Sequence, residues 1–105
     1  MSSKFMFVFH GGGKPETPED CERVMAAWTA WMAGIGDAMV DGGNPVGMSK
    51  TVSEGGVTDN GGANPVSGYS IVRADSIDAA CEFAKGCPIL EGGKGTVEVA
   101  EIIQM

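Results

Sequence analysis

The sequence has few positive charges. Of its 105 residues, 7 are Lys or Arg and 14 are Asp or Glu, so the net charge is −7. Nucleic acids and anionic membrane surfaces are bound through clustered Lys and Arg. We therefore expect neither a nucleic acid nor a membrane as a partner. A cationic ligand is compatible with this charge, although nothing in the sequence requires one.

Histidine and cysteine are also scarce. The chain has one histidine, His10, and three cysteines, Cys21, Cys81 and Cys87. No CxxC pair is present and His10 is the one histidine, so the spacing does not support a zinc site, and we expect neither a metal nor another cofactor. The odd number of cysteines argues against a disulfide framework. Cys87 follows a helix C-terminus, whose dipole does not activate a thiol, and we interpret it as structural.

Long hydrophobic runs are absent as well. Residues 24–36 carry no charge, but these 13 residues are fewer than the roughly 20 that cross a bilayer. Residues 1–4 lead directly into a strand pattern without the apolar segment of a signal peptide. We therefore predict a cytoplasmic protein. Because its composition is that of a globular domain, with 43% apolar and 20% charged residues, we expect one domain over residues 1–105.

The first strand pattern, residues 4–10, is apolar on both faces. Phe5, Phe7 and Phe9 point to one face, and residues 6, 8 and 10 point to the other. A strand that is apolar on both faces is covered on both. A chain of this length has few elements for that purpose, so we expect a second copy of the chain to cover one face. The glycines that follow, residues 11–13, lack a phosphate-loop signature and indicate a turn.

Two helices are predicted further along. Thr17 is a suitable cap and Pro18 a suitable first residue, and apolar residues then recur at helical spacing as far as residue 39. This pattern predicts a helix over residues 18–40. A second helix starts at residue 77 after a cap at Asp75 or Ser76, and it ends at Gly86.

Further strands are predicted at residues 69–73 and 96–103, and residues 48–52 pair with 57–58 across a glycine-containing turn. The order is β-α-β-β-α-β, in which the hairpin arm supplies the second strand. Two helices on one face of an antiparallel four-stranded sheet is the ferredoxin-like plan, an α+β fold.

An apolar pocket is one candidate site. Trp28 and Trp31 lie three residues apart on one helical face, where they can wall a flat pocket or serve as core. Tyr69, the one tyrosine, can add a hydroxyl to such a cavity or simply pack its ring.

His10 is the candidate base. An imidazole titrates near pH ~6.5, which suits a general base, and the alternative is a residue that hydrogen-bonds a nearby carbonyl. Asp59 or Asp37 is the carboxylate that would orient it. Asp37 and Asp41 share a helical face, and their simpler interpretation is a solvated edge.

Several segments in order resemble a known family. They are residues 5–9, 18–40, 43–45, 57–59, 68–72, 84–90, 92–93 and 97–99. This series is similar to the YCII-related proteins, in particular the branch with the DGPF domain, and it spans nearly the whole chain. The resemblance implies a dimeric α/β barrel, in which two ferredoxin-like sheets pack face to face.

The chain departs from that family in two places that bear on catalysis. Asp59 matches the first residue of the DGPF signature, but residues 60–62 are Asn-Gly-Gly in place of Gly-Pro-Phe. Some relatives also carry a histidine in the first helix, paired with an aspartate. That histidine would fall near Ala27 or Trp28, and neither side chain transfers a proton at neutral pH. The family's proposed pair is therefore not transferred to this chain.

Three functions remain open at this point. The first is a homodimer that binds a small apolar or aromatic metabolite between helix and sheet. The second is a cofactor-free lyase, isomerase or oxygenase that uses His10 as its base. The third is a structural or regulatory dimer without a small-molecule site. We rank the first above the second, because fold alone does not determine activity.

Overall fold

The described part of the chain folds into six strands and two α-helices, in the order β-α-β-β-β-β-α-β. A computed structural model describes residues 3–12, 16–59 and 65–104. The strands are β1 (Ser3–Gly11), β2 (Met39–Asp41), β3 (Thr51–Ser53), β4 (Gly56–Thr58), β5 (Val66–Ala74) and β6 (Gly95–Glu101). The α-helices are α1 (Pro18–Ile35) and α2 (Ile77–Ala84), and two 3₁₀ helices cover Gly36–Ala38 and Pro88–Gly93.

The main sheet has four strands in the order β2-β5-β1-β6, and all of its neighbours are antiparallel. β1 is therefore paired on both sides: Phe7 lies opposite Ser70 of β5 and Val99 of β6. The prediction of an α+β fold with an antiparallel sheet and helices is confirmed.

The core lies between one face of this sheet and both α-helices. Phe5, Phe7 and Phe9 are at most 4% exposed and form a cluster with Val72 of β5 and Ala80 of α2. Trp28 and Trp31 of α1 pack against the same cluster. The alternation of side chains along a strand turns residues 6, 8 and 10 to the opposite face, and no helix packs there among the described residues.

α1 begins where the sequence predicts but ends earlier. Thr17 Oγ1 accepts a hydrogen bond from the backbone N–H of Asp20 at 3.1 Å, and Pro18 is the first helical residue. The helix stops at Ile35, because Gly36 takes a left-handed φ of 66° and its N–H donates to Met32 O. The prediction of a helix to residue 40 is wrong. Residues 39–41 form β2 instead.

The reason for this error is that Met39 satisfies two patterns at once. At helical spacing from Ile35 it continues the apolar stripe, yet as a strand residue it lies opposite Val72 and packs against the same core. Burial alone therefore does not distinguish a helical Met39 from one in a strand. The left-handed Gly36 ends the helix before Met39, and pairing with Val72 of β5 then makes Met39 a strand residue.

The predicted hairpin forms, but it stands apart from the main sheet. Val52 pairs with Val57, which confirms the pairing, and β3 and β4 make a separate two-stranded sheet. The second strand of the main sheet is β2, so the prediction that the hairpin arm fills that position is wrong. Gly13, the last residue of the turn predicted at residues 11–13, lies outside the described residues, as do residues 60–62 after Asp59.

The C-terminal elements follow the prediction closely. Ser76 caps α2, since its Oγ accepts a hydrogen bond from Ala79 N at 3.1 Å, which decides between Asp75 and Ser76. β6 ends at Glu101, two residues before the predicted end. In the described part of the chain, no helix has the length and apolar character that spanning a membrane requires.

Candidate functional site

A mostly apolar cavity of about 350 Å³ lies between α1 and the end of the sheet where β1 finishes and β5 begins. Phe9 and Trp28 meet there edge to face, with ring centroids 5.2 Å apart and an interplanar angle of 77°. Met25, Met32 and Ile89 extend the apolar wall. The volume is near the lower end of the roughly 300–1,000 Å³ typical of small-molecule sites.

The segment after β2 closes the cavity on its second side, and a glycine makes its approach possible. Gly43 has a φ of 70°, and a Cβ at this position would lie 1.6 Å from Tyr69 O. Because Gly43 has no side chain, the segment after β2 can run directly beside β5. Tyr69 N donates to Asn44 O at 3.3 Å, and Val46 N donates to Ser67 O at 3.0 Å.

A β-bulge shapes the wall on the β5 side. Phe9 lies opposite Gly68, but His10 lies opposite Val66, so Ser67 is the extra residue of β5. A bulge bends the strand and redirects the side chain it carries. Ser67 lines the cavity, and its Oγ is enclosed by protein with no hydrogen-bond partner among the described residues.

The two tryptophans have different roles. The Trp31 indole N–H donates to Phe83 O at 2.8 Å, and its ring stacks against Phe7 with centroids 6.1 Å apart. Trp31 therefore joins α1 to α2 as part of the core and does not line the cavity. Trp28 does line it, and Trp31 supports Trp28 with an edge-to-face contact at 5.6 Å.

Tyr69 belongs to the cavity lining but comes from the other face of the sheet. It pairs with Val8, and its hydroxyl lies 3.5 Å from Asn44 Nδ2. Trp28 and Tyr69 thus both border the cavity and Trp31 does not, and ligand binding by these residues stays a prediction.

His10 lies on the far side of the sheet from the cavity. Its neighbour Phe9 faces α1, so the alternation turns the imidazole outward from the core. Nε2 lies 3.0 Å from Glu98 Oε1, Nδ1 lies 3.3 Å from Pro65 O, and the side chain is 12% exposed. Both of these neighbours are acceptors, so the ring donates to both when it is doubly protonated.

Glu98 was not among the predicted site residues, although a signal for it existed. His10 lies opposite Thr96 and Val8 lies opposite Glu98, so Glu98 is the diagonal neighbour of His10 on the same face. Pairing the first predicted strand with the last, in antiparallel register, would have found it.

The two aspartates proposed to orient His10 lie in other surroundings. Asp59 Oδ1 is 3.5 Å from Lys50 Nζ, beside the β3–β4 hairpin, and its side chain is 94% exposed. Asp37 lines a solvent-open groove with Arg73 and Asp75. The carboxylate that contacts His10 is that of Glu98, and a catalytic part for Asp59 stays a prediction. Among the described residues, no group of three or more His, Cys, Asp or Glu side chains is placed to hold a metal ion.

Cys87 is a buried thiol in the core. It is 3% exposed, and burial raises its pKa to about 11, an effect that a backbone hydrogen bond at Ile89 opposes only in part. The main cause of the raised pKa is burial, whereas the sequence alone indicated the helix dipole. The three cysteines Cys21, Cys81 and Cys87 are all free thiols.

The cysteines therefore differ in reactivity. We expect iodoacetamide to alkylate the exposed Cys21 of the native protein at pH 8 and to leave Cys87 unmodified, because the thiolate is the reacting species. The rate at Cys87 rises only as the pH approaches 11. Peptide mass spectrometry measures both, and the urea-unfolded chain, in which all three cysteines react, is the control. Equal labelling of Cys21 and Cys87 at pH 8 would contradict this assignment.

Comparisons with known proteins found no relative of this chain. No family model, no curated protein and no solved structure matches the chain.

Proposed function

We propose that the protein is a homodimeric module that binds a small apolar or aromatic metabolite in the cavity between α1 and the sheet. One observation carries this proposal: the cavity is walled by Phe9, Trp28 and Met32, and no described residue that lines it is charged. Aromatic edges and faces hold flat rings in defined orientations, and methionine side chains adapt to the shape of what they contact.

The open face of the sheet supports the dimer. Met6, Val8 and Ile71 are partly exposed at the centre of this face, where no helix packs among the described residues. The molecule measures 44 × 42 × 20 Å, the dimensions of one sheet with one layer of helices. A contiguous apolar surface on a soluble domain marks an interaction site, and a second sheet packs about 10 Å away in face-to-face arrangements.

Charge on the same face favours a second copy as the partner. Lys4 lies opposite Arg73 at one end of the strands, and Glu98 lies beside His10 toward the other end. A twofold axis perpendicular to the strands sets the positive end of one copy over the acidic end of its partner. The interface is then complementary to itself.

We also propose that the monomer has a ferredoxin-like fold. The four-stranded sheet with two α-helices on one face supports a ferredoxin-like unit, to which the β3–β4 hairpin and two 3₁₀ helices are additions. Two such units packed through their open faces would make the dimeric α/β barrel that the resemblance to YCII-related proteins implies. Three free cysteines are consistent with the predicted cytoplasmic location.

Filling the cavity tests the binding site. Gly42 lines it with an ordinary backbone conformation, and a Cβ there would lie 3.3 Å from Met32 Sδ. We expect Gly42→Leu to place its side chain in the cavity and to weaken binding of naphthalene at least tenfold, as measured by calorimetry.

The matched control is Gly47→Leu, in the same connecting segment, where a Cβ meets nothing within 4 Å. This variant keeps wild-type affinity. If naphthalene does not bind the wild-type protein, or binds Gly42→Leu equally well, the cavity is not the ligand site.

The dimer has its own test. We expect sedimentation of the wild-type chain at micromolar concentration to give a dimer, and Ile71→Lys to give a folded monomer, because two lysines would then be buried in one interface. Val52→Lys, on the 75% exposed Val52 of the hairpin, is the control and stays dimeric. A monomeric wild-type protein, or a dimeric Ile71→Lys, would exclude this interface.

His10 and Glu98 favour a second candidate function. An imidazole held 3.0 Å from a carboxylate is the arrangement of an oriented general base. In the proposed dimer this pair lies at the space between the two sheets, apart from the cavity. The candidate activity is cofactor-free proton abstraction next to a carbonyl group, as in a lyase or isomerase.

Deuterium exchange tests this candidate across a whole class of carbonyl substrates. The α-protons of a panel of 2-oxo acids and 1,3-dicarbonyl compounds are followed by proton NMR in D₂O. The wild-type protein is expected to accelerate exchange for at least one compound by about 10²-fold or more, the scale of general base catalysis. His10→Ala abolishes this acceleration and Glu98→Gln reduces it. No acceleration by the wild-type protein across the panel rejects the enzyme candidate.

A further inference from the structure

Ser67 points to the chemical class of the ligand. We propose, on the basis of the binding function proposed above, that the ligand is an uncharged one- or two-ring molecule whose hydroxyl or carbonyl group hydrogen-bonds the Ser67 hydroxyl. The proposal combines three observations: a buried Ser67 hydroxyl with no hydrogen-bond partner among the described residues, a lining without charge, and two aromatic rings in the wall.

The Ser67 hydroxyl is exceptional among the polar groups around the cavity. Ser70, also on β5, donates to Gly42 O at 2.8 Å, and Thr29 donates to Met25 O at 2.9 Å. Ser67 Oγ is enclosed, yet it has no partner among the described residues. A buried hydroxyl without a hydrogen bond is unfavourable, and buried polar groups almost always have one.

The bulge explains why the Ser67 hydroxyl has no hydrogen-bond partner among the described residues. An extra residue in β5 takes Ser67 out of the regular pairing between β1 and β5. Its backbone carbonyl accepts a hydrogen bond from Val46 N, but its side-chain oxygen has no hydrogen-bond partner among the described residues. Rotation about the single Cα–Cβ bond redirects the hydroxyl toward a molecule in the cavity. The bound molecule then gains a hydrogen bond, and the protein breaks none to form it.

The charge around the cavity excludes ionic ligands. The polar residues that border the cavity all have neutral side chains, and they are Thr29, Asn44, Ser67 and Tyr69. Just outside the lining, Asp41 Oδ1 accepts a hydrogen bond from Gly43 N at 2.8 Å and leaves a negative charge near the wall. An anion is repelled there, and a cation finds no carboxylate in the lining to pair with. Either ion would lose its hydration with no charged side chain in the lining to replace it.

The size and shape complete the description of the ligand. Trp28 and Phe9 meet nearly at right angles, and α1 contributes the flexible Met25 and Met32. A volume of about 350 Å³ is small for a binding site and suits one or two fused rings.

Four probes with one common ring system test the proposal. They are naphthalene, 2-naphthol, 2-naphthoate and 2-(aminomethyl)naphthalene, which differ in hydrogen bonding and charge. Calorimetry gives the Kd of each for the wild-type protein, for Ser67→Ala, and for Ser53→Ala as a matched control on the hairpin. We expect wild-type protein to bind naphthalene and 2-naphthol, and to bind both charged probes at least tenfold more weakly.

The informative quantity is the ratio of the 2-naphthol Kd to the naphthalene Kd, because the hydration of the naphthol hydroxyl cancels between variants. We expect Ser67→Ala to raise this ratio by about 2- to 10-fold, the worth of one hydrogen bond, and Ser53→Ala to leave it unchanged. The Tm of ligand-free Ser67→Ala should equal or exceed that of the wild type, because no hydrogen bond is removed.

The possible failures are distinguishable. If no probe binds the wild-type protein, the proposed binding function falls. If naphthalene and 2-naphthol bind but the ratio is the same in Ser67→Ala, the cavity stands and the role of Ser67 is rejected. Tight binding of either charged probe rejects an uncharged ligand. A clearly lowered Tm for Ser67→Ala would show that the hydroxyl already has a structural partner.

Discussion

The packing of Phe5, Phe7 and Phe9 against two helices is the constraint on which the rest of this structure depends. These three rings occupy one face of the central strand, which is paired on both sides. A shift of β1 by one residue would turn all three to the other face, so the register is strongly determined. With the register set, Phe9 lies beneath α1 and His10 lies on the opposite face.

Two candidate sites consequently lie one residue apart on opposite sides of one strand. The cavity uses Phe9 and Trp28, which belong to the same apolar layer as the core. The His10–Glu98 pair belongs to the open face, where no helix packs among the described residues. The cavity is formed within one monomer. The His10–Glu98 pair becomes enclosed only if another surface covers the open face of the sheet. Oligomeric state therefore bears differently on the two functions.

The cavity exists because side chains are absent where two backbone segments come close. Gly43 approaches Tyr69 O, and a Cβ on Gly68 would lie 3.2 Å from Phe9 and 3.3 Å from Asn44 O. These glycines allow the segment after β2 to pack against the sheet. Beside them, the bulge inserts Ser67 as an extra residue in β5. The close packing of these backbone segments and the cavity beside Trp28 therefore depend on the same glycines and the same bulge.

Much of the local structure could be predicted from the sequence. The alternation in residues 4–10 identified the core strand and the residues that share each of its faces, Thr17 and Pro18 identified the start of α1, and a glycine-containing turn identified the β3–β4 hairpin. Each of these features depends on residues that are near one another in the chain. Their physical cause is local: the period of side chains, the capping of free N–H groups, and the backbone freedom of glycine.

The remaining features were decided by contacts between distant segments. Met39 fits a helix or a strand equally well until β5 lies beside it, and Trp28 and Trp31 look equivalent until Phe83 O accepts a hydrogen bond from only one of them. Glu98 meets His10 across 88 positions of sequence, and the Ser67 bulge arises from the pairing of β5 with β1. The sequence by itself determined the apolar pattern and most of the helices and strands. Only the tertiary structure decided which polar groups meet and which hydroxyl has no partner among the described residues, because that depends on register between strands far apart in the chain.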